Sequence, residues 1–290
     1  MQVLNYLELR MRGFGDDEDR FYLLAARIDA VGTAIETDAD TQVVDHILWF
    51  DCQTAEEQLD LQSKLLPQLN ALGVEDWQCH WNLLGEDWAT AWQKYWTGVA
   101  VGEHLWVRPS FCDAAPEGRI DVVLDPGMAF GTGTHATTRL CLQAIERLCE
   151  QSDTLPETLL DMGAGSGLLA IAGLKMGVAS ALGVDNDAIA VEACLVNAKI
   201  NGVVMQVELN DTPPAKKFAC VVANILAAPL VAMAPALAAC VGRDLILSGL
   251  LATQVEMVEG AYLAEGLVRK RVDIDGDWAS LEMTIERKAC

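Results

Sequence analysis

Leu159-Leu160-Asp161-Met162-Gly163-Ala164-Gly165-Ser166-Gly167 decides how this chain folds. An apolar run from Thr158 to Leu160 ends in an acid and then in glycines at every second position. An apolar helical pattern, Leu168 to Met176, follows at once. Such a pattern is a buried parallel strand, a tight turn and a helix N-terminus. Glycine accepts positive φ and lets the backbone approach a ligand where any Cβ would collide.

The spacing narrows the ligand. A dinucleotide fingerprint, G-x-G-x-x-G, needs a glycine at 168, where Leu168 stands. D-x-G-x-G-x-G suits instead a nucleoside without phosphates, of which S-adenosylmethionine is the best-known example. Gly163 and Gly165 would cradle its amino-acid end, with Asp161 helping by charge or through water. A second strand, Ala181 to Val184, ends in Asp185, 22 positions after Gly163. An acid at that strand tip can accept both ribose hydroxyls. The plain alternative is a tight βα turn with no ligand; turn, strand and acid together favour a nucleoside site.

Downstream, strands and helices alternate. Asp187 caps a helix over Ala188 to Asn201, and Gly202 ends it. Met205 to Leu209, Cys220 to Ala223 and Arg243 to Ser248 read as the next three strands, with a helix over Ala252 to Ala264. Val268 to Ile274 and Ala279 to Arg287 form a closing pair. The pattern predicts an α/β, Rossmann-like domain with a seven-stranded, mainly parallel sheet and an antiparallel hairpin strand at the end. Ligands bind at the carboxyl ends of such strands, where Gly163, Asp185 and Asn224 all fall. The uncharged stretch Phe218 to Gly242 is long enough to span a bilayer. Asn224, Pro229 and Pro235 interrupt it, so it reads as a buried strand, a loop and a buried helix.

Upstream, residues 3–12 alternate, with Leu7, Leu9 and Met11 opposite Glu8, Arg10 and Arg12, as in a half-buried strand. A helix over Phe21 to Ala30 follows the acidic cluster Asp16 to Asp19. Short strands at Ala34 to Glu36 and Ile47 to Phe50 precede a second helix, opened by Thr54 with Glu57 as a capping box. Val74 to Trp81 supplies a last strand. The order β-α-β-β-α-β predicts a small α+β, ferredoxin-like domain. Trp88, Trp92 and Trp96 then mark one stripe of a connecting helix. The expected organisation is an N-terminal domain at 1–85, a linker helix at 86–100 and the nucleoside-binding domain at 101–290.

Bulk properties exclude several classes. With 20 basic and 42 acidic residues the net charge is −22. Such a chain repels phosphate backbones, and the short clusters Lys216-Lys217 and Arg269-Lys270-Arg271 make no basic patch, so direct nucleic-acid binding is not expected. Nine cysteines without a C-x-x-C pair, and four scattered histidines, argue against a metal site and for a reducing compartment. The N-terminus lacks the basic and apolar segments of a signal peptide, so a cytoplasmic protein is expected.

Two further stretches carry chemistry. Leu124 to Thr138 is rich in glycine and threonine and precedes a helix over Leu140 to Cys149. It can fold over a ligand, with Phe130 and Thr132 in the loop and Thr138 at the helix start, where backbone N–H groups are free. His135 is either part of that loop's work or a surface residue. Asn224 ends an apolar strand; its carbonyl can accept from an amine, or it can cap the next helix.

These residues carry a resemblance. Pro126 to Thr138 (PGMAFGTGTHATT), Asp161 to Gly167 (DMGAGSG), Asn224 to Ala227 (NILA) and Ser248 to Ala252 (SGLLA) resemble the ribosomal protein L-eleven methyltransferase family. Asp87 to Trp96 and Leu105 to Phe111 are similar to it as well, so the likeness runs from about 86 to 287. It implies a class I methyltransferase fold and S-adenosylmethionine as cofactor. It also implies methyl transfer to lysine and N-terminal α-amines of the large-subunit ribosomal protein L-eleven, with the N-terminal domain recognising that substrate. By position, the cofactor contacts it implies are Thr138, Gly163, Asp185 and Asn224, beside Asp161, Gly165, Phe130 and Thr132. Asn224 would orient the amine or the cofactor. Ala164 stands where a cysteine is common in the family, and residues 1–85 match weakly. A nucleic-acid methyltransferase shares the fold, but Asn-Ile-Leu-Ala in place of Asn-Pro-Pro-Tyr/Phe and the charge of −22 count against it. A dehydrogenase is disfavoured by Leu168, and a non-catalytic binding module is the bland third reading.

Overall fold

In the computed structural model the alternation at the start of the chain becomes strand β1, Tyr6–Arg12, with Leu7, Leu9 and Met11 fully buried. The structure describes residues 6–12, 14, 18–28, 30, 32–37, 43–51, 55–72, 78–84, 97–124, 135–151 and 154–286. Two compact units divide the chain, Met1–Tyr95 and Trp96–Cys290.

In the first unit β1 is followed by helix α1 (Glu18–Arg27), β2 (Gly32–Thr37), β3 (Val44–Asp51), α2 (Ala55–Ala71) and β4 (Gln78–Leu84). The sheet order is β2-β3-β1-β4 with every pair antiparallel, the ferredoxin-like arrangement. Leu7, Leu9, Phe21, Leu24, Leu65 and Leu69 join in its core. One residue departs from the simple alternation. Glu8 is buried, because its carboxylate accepts Nε of Arg10 at 2.7 Å and the indole N–H of Trp49 at 3.2 Å. His46 on β3 is buried against Phe14 and Phe21, with ring centroids 5.1 and 4.9 Å away. Neither ring nitrogen has a hydrogen-bond partner among the described residues, and burial holds its pKa below the usual 6.5. The tryptophan stripe at 88, 92 and 96 lies outside the described residues.

The second unit opens with β5 (Val99–Val101), β6 (Leu105–Arg108) and β7 (Ile120–Val123), which form their own three-stranded sheet. Val99 and Ala100, expected in the linker helix, therefore belong to a strand. Helix α3, Ala136–Gln151, begins four residues before the expected Leu140. Then come β8 (Thr158–Met162), α4 (Leu168–Lys175), β9 (Ser180–Asp185), α5 (Ala188–Ile200), β10 (Gln206–Leu209) and β11 (Phe218–Asn224). The uncharged stretch after β11 holds two short helices rather than one, α6 (Ala227–Ala232) and α7 (Ala234–Ala239); Pro235 opens the second. After β12 (Val241–Leu251) a 3-10 turn at Ala252–Gln254 precedes α8 (Val255–Ala264). β13 (Leu267–Asp275) and β14 (Trp278–Ile285) close the chain.

These seven strands stand in the order β10-β9-β8-β11-β12-β14-β13. Pairing is parallel from β10 to β12, and β14 runs antiparallel to both of its neighbours. From β8 the chain moves outward to β9 and β10, then returns to β8's other side as β11. β8 and β11 are thus neighbours whose connections leave in opposite directions, and a crevice opens between such strand ends. Two apolar layers cover the sheet, one including Leu160, Val221, Leu245 and Tyr262, the other Ile145, Leu159, Ile171 and Val222. Adjacent residues of one strand, such as Leu159 and Leu160, enter different layers, as period-two strands covered on both faces require. No helix among the described residues is long and apolar enough to cross a membrane.

Candidate active site

The turn after β8 carries the first half of the site. Gly163 and Ala164 donate their backbone N–H groups to the carbonyl of Val184 on β9, at 2.8 and 3.1 Å. Gly163 has φ 75°, and a Cβ there would overlap Cγ2 of Ile225. Both its conformation and its neighbour therefore require glycine. Gly165 donates its N–H to Oδ2 of Asp185 at 2.8 Å, and Asp187 donates to Oδ1 at 3.0 Å. Each carboxylate oxygen keeps a lone pair, so Asp185 can accept two more donors. Asp187 also caps α5, accepting Ile189 N–H at 2.9 Å, as its position before the helix predicts.

Asp161 is fully buried. Its Oδ2 accepts the N–H of Ala170 at 3.1 Å, in the first turn of α4. Gly167, the residue before that helix, has no side chain to offer its free N–H groups, so a carboxylate from β8 supplies the cap. Oδ1 has no partner among the described residues. Burial pushes the carboxyl up to about 7; the Ala170 N–H opposes the rise and the charge of Asp185 adds to it.

Asn224, the last residue of β11, forms the second half. It is not a helix cap: α6 begins after Leu226 and has no side-chain cap. Its Nδ2 donates to Oγ1 of Thr138 at 3.4 Å, while its Oδ1 has no partner among the described residues. Thr138 sits in the first turn of α3 and is buried. Ile225, next to Asn224, meets Gly163 from one side and Gly249 from the other. Gly249 has φ 82°, and a Cβ there would overlap the Ile225 carbonyl. Asn224 lies in register with Ser248 on β12, whose hydroxyl donates to the carbonyl of Ala279 at 2.9 Å.

Asp161, Gly163, Gly165, Asp185, Asn224 and Thr138 are therefore one connected set, with Ile225 as the link between its halves. Phe130 and Thr132 lie outside the described residues. Ile225 and Gly249 escape the motif reading, although the glycine in Ser248 to Ala252 is the trace such a close approach leaves. Two buried oxygens without partners among the described residues, Asp161 Oδ1 and Asn224 Oδ1, suit a ligand that brings N–H or O–H donors and positive charge. S-adenosylmethionine, with an ammonium, a sulfonium and a ribose diol, fits that donor set. Among the described residues no group of histidine, cysteine or acidic side chains is placed to hold a metal ion.

The family model described as Ribosomal protein L11 methyltransferase (PrmA) matches residues 5–286. The chain belongs to the ribosomal protein L11 methyltransferase family. It is an S-adenosylmethionine-dependent methyltransferase with the class I fold. The ribosomal protein L11 methyltransferase of Salmonella arizonae is 38% identical over 272 residues, 89% of this chain and 92% of that one. That of Geobacter sulfurreducens is 45% identical over 202 residues, 68% of this chain and 65% of that one. A crystal structure described as ribosomal protein L11 methylase from Lactobacillus delbrueckii subsp. bulgaricus aligns with a TM-score of 0.61 at 30% identity, over 66% of this chain and all of that one. The family resemblance of the motifs, the fold class and the cofactor expected from sequence all hold.

Proposed function

We propose that this enzyme methylates amino groups, lysine and N-terminal α-amine, of ribosomal protein L11 in the cytoplasm. The names of its relatives support the protein substrate. The observation that carries the chemistry is the Oδ1 of Asn224, a buried acceptor without a partner among the described residues, at the tip of β11 and bonded through Nδ2 to Thr138.

Bound S-adenosylmethionine supplies an electrophilic methyl on a sulfonium that leaves as a neutral thioether. The protein's own work is binding, orientation and exclusion of water. Gly163 and Gly165 keep backbone against the cofactor's amino-acid end, with Asp161 helping by charge or through water. Asp185 takes the ribose hydroxyls on its remaining lone pairs. Phe130 and Thr132, outside the described residues, keep the cofactor-contact role that their motif implies. Asn224 Oδ1 accepts a hydrogen from the attacking amine, which leaves the nitrogen lone pair to face the methyl. The amine must arrive neutral although a free lysine titrates at about 10.4; partial burial lowers that value. The unit Met1–Tyr95 recognises the ribosomal protein, and the charge of −22 steers a basic partner and disfavours direct nucleic-acid contact.

Incubation of purified L11 and of whole ribosomal subunits with the enzyme and labelled cofactor, followed by intact-mass analysis, tests this reading. Nuclease-resistant mass increments on L11 are expected. Label confined to RNA, or to another protein, would sink the substrate assignment.

A further inference from the structure

The turn between β13 and β14 touches both walls of the Asn224 site. At its end, Trp278 sets its ring edge-on to His135, with centroids 4.9 Å apart and planes at 70°. His135 caps α3: its carbonyl accepts the N–H of Thr138 at 3.1 Å and of Arg139 at 3.0 Å, and its Nδ1 pairs with Oγ1 of Thr137 at 2.8 Å. At the turn's start, Asp275 accepts Nη2 of Arg139 at 2.6 Å. Both contacts thus grip the first turn of α3, which carries Thr138. On the other side the carbonyl of Asp277 accepts Ala252 N–H at 2.7 Å, and Trp278 lies in register with Leu251. Leu251 ends β12 and Ala252 follows it; Ser248 and Gly249 of the same strand back Asn224 and Ile225.

We propose that Trp278 and Asp275 are positioning residues for methyl transfer. They hold the start of α3 at the separation from β11 that lets Thr138 and Asn224 act on one ligand, a role that rests on reading that pair as ligand-holding. Neither residue needs to touch the cofactor: Trp278 acts through the His135 ring and Asp275 through the Arg139 guanidinium. A ring pair and a half-exposed ion pair are modest locks, so removing either should loosen the site without unfolding the sheet.

The test uses the full chain, with cofactor Kd by calorimetry and kcat at saturating cofactor. Trp278→Ala should raise the Kd of S-adenosylmethionine about threefold to tenfold, the range an edge-on aromatic pair supports, with a smaller fall in kcat. Trp278→Phe, which keeps a ring against His135, should restore most of the loss. His135→Ala combined with Trp278→Ala should cost no more than the worse single change. Asp275→Asn should raise Kd less than Trp278→Ala does. Tyr262→Phe, which removes a buried hydroxyl bonded to the Leu230 carbonyl at 2.9 Å on another face of the sheet, lowers the melting point without moving Kd. Unchanged Kd in Trp278→Ala, equal loss in Trp278→Phe, or additive losses with His135→Ala overturn the proposal. If Thr138→Ala and Asp185→Ala weaken the cofactor while Trp278→Ala does not, only the positioning role fails; if those two also bind normally, the cofactor site itself is misplaced.

Discussion

The carboxylate of Asp185 accepts the backbone N–H of Gly165 at 2.8 Å, so the tip of β9 and the glycine turn after β8 are ordered by one another before any ligand arrives. Removing that carboxylate therefore loses a ribose acceptor and loosens the turn. Asp185→Ala should weaken S-adenosylmethionine by roughly tenfold or more, since each hydrogen bond to a charged group contributes about 1.5–3 kcal/mol. Asp185→Asn keeps one acceptor and should lose less. Calorimetric titration measures both, and full affinity in Asp185→Ala would overturn the ribose role.

Gly163 and Ile225 compete for one volume. Gly163→Ala places a methyl on Cγ2 of Ile225 and strains a positive φ. Cofactor affinity should fall steeply, and Ile225→Ala in the same chain should recover part of it by removing the clash while the φ strain of roughly 1 kcal/mol remains. No recovery in the double variant would mean that the overlap is not what the glycine avoids.

Asn224→Ala should separate chemistry from binding. Turnover should fall roughly a hundredfold, the scale of a misplaced reacting group, with a smaller change in cofactor Kd. Single-turnover methyl transfer reads the first quantity and calorimetry the second. An unchanged rate would reject Asn224 as the orienting residue.

Asp161 makes stability depend on pH in an unusual direction. Its carboxyl is raised from 3.8 to about 7 by burial, so the folded protein holds a proton that the unfolded chain has released. That contribution is complete below 3.8 and is lost as pH rises towards 7, by on the order of a few kcal/mol. Asp161→Asn should flatten this decline in denaturant unfolding of the second unit between pH 4 and 8. A decline of the same size in the variant would contradict the assignment.

His46 works in the opposite sense in the first unit. Burial between Phe14 and Phe21 lowers its pKa, so the unfolded chain takes up a proton first. Its contribution is present above 6.5 and is lost as pH falls through the lowered value. His46→Leu should extend the stability of this unit to more acidic solution, followed by the fluorescence of Trp49. Loss at the same pH in His46→Leu would point to another group.

Much was legible from residue order, because it follows from local rules. Period-two and period-3.6 patterns placed β1 and the seven strands from β8 to β14, each within a few residues. Alternation made the sheet parallel, and the D-x-G-x-G-x-G turn with Asp185 at the next strand tip named the kind of ligand. The ends of elements were harder: α3 starts earlier than Leu140, and the stretch after β11 breaks into two helices, where competing packing rather than propensity sets the boundary. What no linear pattern contained is who faces whom. Asn224 and Thr138 are 86 positions apart and Gly163 and Ile225 are 62 apart. The second meeting exists because β8 and β11 are adjacent in the sheet, and the first because α3 packs against β11 and β12, both consequences of the whole hydrophobic layer closing at once. The sequence alone thus determined the fold class, the family and the cofactor. Only the tertiary structure decided that Ile225 joins the two halves of the site, that Asn224 is no helix cap, and that Trp278 and Asp275 reach the helix that carries Thr138.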